Sequence, residues 1–217
     1  MTLLKLRIND VEHCCALQSE REPSHDSTFC AGIKEFISAS EGCEYEGNIK
    51  GKANSYQLTS NLDDRLIHSI GWVSAQLKPD KELGQLPGIA PDGIFDYGTS
   101  RILLEVEKTN KKTIWFDLIK MIMLIRSHAA EYRLLVVPRN YCHSLGAWDL
   151  YKEAKFYRYC LSHFAGVSDD WLSKIAVVGY TQQVDANGSW MELDVKRLKS
   201  IKDSAKETFA KTEVLSI

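Results

Sequence analysis

"GIAPDGIFDYGTSRILLEVEKTNKKT", residues 88–113, decides how this chain folds. "APDGIFDY" and "RILLEVEK" are strand-like runs separated by "GTS", whose glycine suits a tight hairpin turn. With Gly98 and Thr99 at the tip, Tyr97 pairs with Ser100, Asp96 with Arg101, Phe95 with Ile102, and Asp92 falls opposite Glu105. Alternation then places Asp92, Ile94, Asp96, Leu103, Glu105 and Glu107 on one face. Phe95, Ile102, Leu104 and Val106 take the other. A four-residue loop would put Asp92 opposite Glu107 and leave the faces unchanged.

Directly opposed side chains have Cβ atoms about 4.5–5.5 Å apart. Two carboxylates at that spacing repel, and burying them costs several kcal/mol unless a cation lies between them. One reading is a solvated hairpin face balanced by Arg101, Lys108 and Lys111. The other is a site for Mg²⁺, which takes one or two carboxylates, retained waters and phosphate oxygens. Glu107, two residues beyond Glu105, then has the reach to act as base on a water. The apolar helix pattern "TIWFDLIKMIMLI" follows at once, which makes the second strand central. Central strands seldom carry two glutamates idly. Lys108, Lys111 and Lys112 add positive charge where a phosphate backbone would want it.

Outward from the hairpin, the pattern is that of an α/β protein: a mixed central sheet flanked by helices. Helical spacing appears in "FCAGIKEFISAS" (29–40), "LDDRLIHSIGWVSAQL" (62–77), 109–129 and "LGAWDLYKEAKFYRYCLSHFAG" (145–166). Thr109, Asn110 and Thr113 are candidate N-caps of the third. Trp115, Phe116 and Met121 read as core positions on it. "YRLLVVP" (132–138) and "KIAVVGY" (174–180) are buried parallel strands by composition. Asn187-Gly188 signals a turn, and 194–211 an amphipathic basic helix. Residues 41–61 read as a long glycine- and polar-rich loop in which Lys50 and Lys52 either touch DNA phosphates or lie in solvent.

A chain of 217 residues with 44% apolar and 26% charged side chains buries a real core, which excludes a disordered chain. Its size suits one domain over 1–217, with a core at about 60–182 and N-terminal helices and a C-terminal hairpin and helix as elaborations. Net charge of −2 argues against a basic coat but not against a local basic groove. Six cysteines without a CxxC pair suggest reduced thiols rather than staples or zinc ligands. No targeting segment or membrane span is evident, so a soluble, cytoplasmic protein is expected.

"PD…EVE" resembles the PD-(D/E)xK nuclease superfamily, in which an aspartate and a (D/E)xK strand bind the catalytic metal. Glu107 stands at the lysine position, and Lys108 alternates to the opposite face. This ExE form looks like the BamHI–BglII–BstYI group of type II restriction endonucleases. "DYGTSRILLEVEKTN" resembles that group's metal hairpin, "WFDLIKMIMLI" its following helix, and "YRLLVVPRNY" the next strand. "KIAVVGYT" resembles a late core strand and "SNLDDRLIHSIGW" a helix ahead of the hairpin, so the resemblance spans about 50–181.

The resemblance implies a restriction-endonuclease-like core and a prokaryotic, cytoplasmic, Mg²⁺-dependent enzyme. Such an enzyme would cut double-stranded DNA at a short palindrome as a homodimer. Glu105 would be a metal ligand and Glu107 would take the lysine's role. The first aspartate is Asp92, which has the "PD" context and the nearer register, or Asp96, which has the spacing of BglII-like members. Gln76 stands where some relatives have a further acid. A non-restriction nuclease of the same superfamily and a non-catalytic DNA-binding domain are the alternatives.

Overall fold

The computed structural model describes residues 2–12, 27–50, 57–69, 73–74, 91–97, 100–108, 111–126, 131–143 and 146–214. The hairpin forms in the expected register. Strand β5 (Gly93–Tyr97) runs antiparallel to β6 (Ser100–Val106), with Tyr97 opposite Ser100 and Gly93 opposite Leu104. Strand β6 then lies parallel to β7 (Tyr132–Pro138), and β7 lies parallel to β10 (Ile175–Ala186). Each parallel step is bridged by helices, as parallel neighbours require. These are α3 (Thr113–Arg126) between β6 and β7, and α4 (Leu150–His163) with the short α5 (Asp169–Ser173) between β7 and β10.

The sheet extends beyond this parallel core. On the far side of β10, β1 (Thr2–Glu12) pairs antiparallel, followed by β2 (Glu44–Lys50) and β3 (Gln57–Ser60). On the near side β4 (Val73–Ser74) pairs with β5. Strand β11 (Ser189–Glu192) folds back on β10 through Asn187 and Gly188, both at positive φ as an Asn-Gly hairpin turn demands. The result is mixed α/β, with helices packed on both faces of one sheet.

One face presents Ile102, Leu104, Val106, Leu134, Val136, Ala176 and Val178 to α1 (Ser27–Ser40), α2 (Leu62–Ser69) and α6 (Val195–Val214). The other presents Leu135, Val137, Ile175 and Val177 to α3, α4 and α5. Strand β7 is buried at every residue, Arg133 included, which is why Leu134–Val137 reads as an apolar run.

Several expectations are corrected. The expected loop at 41–61 holds β2 and β3 among its described residues, so Lys50 ends a strand, while Lys52 lies outside the described residues. The glycines and charged residues interleaved through 41–52 hid the strand pattern from a reading of the sequence. The N-terminal elaboration is not helical alone, because β1 is an internal strand with Leu4 and Leu6 in the core. The helix expected at 62–77 stops at Ser69, and Val73–Ser74 is sheet. The helix expected from 145 begins at Leu150, where Asp149 caps it by accepting from the Lys152 amide. Gly146–Trp148 (β9) instead pairs with Tyr141–His143 (β8). Helix α3 starts at Thr113, so Thr113 is its first residue rather than its cap; Thr109 and Asn110 lie outside the described residues. Phe116, read as core, is 68% exposed because the heavily apolar helix offers more large side chains than one face can bury.

Gly179 on β10 lets α4 approach the sheet: a Cβ there would stand 2.9 Å from the Tyr151 ring. Gly179→Ala should therefore cost about 1–3 kcal/mol in urea denaturation. The loss should largely vanish in a Tyr151→Ala background, and an equal loss in both backgrounds would refute the contact.

Candidate active site

Asp92 sits just before β5, where the hairpin ladder runs out. Its amide donates to the Leu104 carbonyl at 2.9 Å. Its Oδ2 accepts from the Val106 amide at 2.7 Å, standing in for the next backbone carbonyl. One carboxylate oxygen is thereby committed to the strand, and the side chain is fixed beside Glu105. Glu105 points from β6 to the α3 side of the sheet and is only 5% exposed. Asp96 pairs with Arg101 through the backbone, four residues up the hairpin from Asp92 and towards its tip.

Burial is the largest influence on these acids. It pushes Glu105 up to about 8 and raises Asp92 above the usual carboxylate range. The Val106 N–H restrains Asp92, while Lys120 restrains Glu105. The two carboxylates also act on each other. Glu107 leaves β6 with its amide bonded to the Val136 carbonyl at 3.1 Å, and its Oε2 accepts from the Thr113 hydroxyl at the start of α3.

Two residues in the cluster come from α3 and were not singled out from sequence. Lys120 Nζ lies 2.7 Å from Glu105 Oε1 and 3.8 Å from Asp117 Oδ1. Asp117 is raised to about 6, by burial first and then by Glu107 and Asp92, against the pull of Lys120. Thr113, Asp117 and Lys120 fall at i, i+4 and i+7, a polar stripe along an otherwise apolar helix. That spacing was the available signal.

Arg133, on β7 next to β6, is fully buried and donates Nη1 to the Tyr132 carbonyl at 2.6 Å. Its Nε and Nη2 have no hydrogen-bond partner, and Glu105 Oε1 meets no donor but the Lys120 ammonium among the described residues. Burial lowers the Arg133 guanidinium and Glu105 supports its charge.

The expected basic cluster divides. Lys108 turns to Asp63 of α2 at 2.8 Å, on the face opposite Glu105, as alternation requires. Lys111 pairs with Glu153 of α4, and Lys112 is exposed. Gln76 lies outside the described residues. Among the described residues no three His, Cys, Asp or Glu side chains converge closely enough to hold a metal by themselves. The all-oxygen donors of Asp92 and Glu105, with an orphaned buried Oε1, nonetheless suit a hard cation that keeps waters and substrate oxygens as its remaining ligands. No protein-family model matches the chain, and no curated protein matches it in sequence.

A carboxyl raised by folding binds protons that the unfolded chain has lost. Glu105 therefore makes the native state lose stability as pH rises from its ordinary 4.5 towards about 8, and Asp117 adds the same sign between 3.8 and about 6. In EDTA, Glu105→Gln should gain on wild type between about pH 5 and about pH 8, by on the order of a few kcal/mol in urea denaturation. Parallel pH profiles for the two proteins would refute the assignment.

Proposed function

We propose that this chain is a Mg²⁺-dependent endonuclease that hydrolyses phosphodiester bonds of double-stranded DNA. Cleavage at a short palindromic site by a homodimer, in the manner of type II restriction enzymes, is the form the sequence resemblance favours. The observation that carries the reading is the placement of a half-buried Asp92 beside a buried Glu105, both raised in pKa and with Asp92 pushing Glu105 higher. A fold keeps such a pair at a cost of several kcal/mol, and perturbed acids of this kind concentrate at functional sites.

Asp92 and Glu105 would hold the ion, with Asp96 as the alternative to Asp92. Bound Mg²⁺ would supply charge neutralisation at the phosphate and an acidified water. Glu107 is oriented by the Thr113 hydroxyl, which fixes one oxygen and presents the carboxylate as proton acceptor. Lys112, with Lys50 and Lys52, would meet DNA phosphates. Lys108 and Lys111 would do so only by leaving Asp63 and Glu153. The enzyme's setting would be the prokaryotic cytoplasm.

A second reading is a DNA-binding domain without catalysis. It is favoured by the Lys120–Glu105 and Thr113–Glu107 contacts, which give each acid a partner within the chain. A non-restriction nuclease of the same superfamily shares the chemistry of the first.

Plasmid digestion with and without Mg²⁺ separates these readings. Discrete fragments with uniform sequenced ends are expected; a smear would favour a non-specific nuclease, and no cleavage the binding domain. Glu105→Ala and Asp92→Ala should each lose at least about a hundredfold in rate, and Glu107→Gln about 10²–10⁴-fold. Asp96→Ala should remain active. The reverse result would transfer the ligand role from Asp92 to Asp96.

A further inference from the structure

We propose that Lys120 is the resident cation of this acid cluster, and that its ammonium competes with a divalent metal ion for Glu105. The proposal rests on the metal-binding reading above and adds how the site is held before metal arrives. The cation nearest Glu105 is not on the hairpin. It reaches over from the middle of α3, with Nζ 2.7 Å from Oε1. That oxygen is buried and meets no other donor among the described residues, so its neutralisation within the chain falls to this one ammonium.

Three features make the ammonium displaceable. Lysine carries a compact point charge on a flexible four-carbon stem, unlike the rigid fork of arginine. The Lys120 side chain is 23% exposed, whereas the Glu105 side chain is 7% exposed, so the amine has a way out and the carboxylate does not. Asp117, one turn earlier on the same helix, already lies 3.8 Å from Nζ. It offers a second seat, which the ammonium can occupy without unpacking α3. Arg133 cannot take over, because it is wholly buried and diagonal to Glu105 on the neighbouring strand.

Two cations cannot share one buried oxygen without repulsion. Lys120 therefore keeps the metal-free protein folded and weakens its hold on metal, and metal entry moves the ammonium from Glu105 to Asp117. Ca²⁺, a hard cation of related oxygen preference, is the probe. In isothermal titration at fixed pH, Lys120→Met should bind Ca²⁺ at least about tenfold more tightly than wild type, about 1.4 kcal/mol. In EDTA its Tm should fall below that of wild type, and saturating Ca²⁺ should raise it by more than it raises the wild-type Tm. Lys120→Arg keeps the charge and should bind Ca²⁺ no more tightly than wild type, which preserves the test if the methionine variant does not fold. Asp117→Asn removes the second seat and should weaken Ca²⁺ binding.

Wild-type binding that Lys120→Met leaves unchanged or weakens would overturn the competition alone. Tighter binding by Lys120→Arg would overturn it as well. Absence of any Ca²⁺ or Mg²⁺ binding by wild type would overturn both the competition and the metal-dependent reading beneath it.

Discussion

A carboxyl in the middle of a sheet must be neutralised by a proton or answered by a positive charge, and the centre of this molecule is arranged around that constraint. Glu105 lies on β6 between two strands, with α3 closing over it. Removing such a carboxylate from water costs several kcal/mol, which hydrogen bonds and a counter-charge only partly offset. Lys120 provides the nearest charge, and Arg133 supports it from the adjacent strand. Neither completes the carboxylate's hydrogen bonding. The polar centre is therefore held together by fields more than by directional bonds.

Asn140 shows what a completed buried polar group looks like in the same protein. Its Nδ2 donates to the carbonyls of Gln182 and Leu193, both at 2.9 Å, and its Oδ1 accepts from the Gln182 amide at 2.8 Å. That side chain ties the end of β7 to β10 and to the segment entering α6. Buried polar groups satisfied in this way are structural. The orphaned atoms of Glu105 and Arg133 lie on neighbouring strands, where the fold tolerates an unfinished network. Such tolerance is more often found at sites than in scaffolds.

The hairpin was legible because its register follows from one turn and a two-residue period. Once Gly98 and Thr99 were placed at the tip, every pairing from Tyr97–Ser100 to Gly93–Leu104 followed, and with it the separation of acids from core residues. The buried strands β7 and β10 were legible from composition alone. By contrast, β1 to β3 were not. Their apolar residues are interleaved with charged and polar ones, and their partners are distant in sequence: β1 pairs with β10, β2 with β1 and β3 with β2. The basic residues were misgrouped for the same reason. Lys108 and Lys111 are neighbours in sequence, yet they pair with Asp63 on α2 and Glu153 on α4.

The sequence by itself determined the class of fold, the hairpin register and the face shared by Asp92 and Glu105, because local periodicity dictates all three. Tertiary structure alone decided which cation meets those acids. Lys120 is separated from Glu105 by fifteen positions and becomes its partner only when α3 packs across the sheet. Burial likewise belongs to the folded molecule. No pattern of residues announces how far a carboxyl's pKa will move until the water around it has been removed.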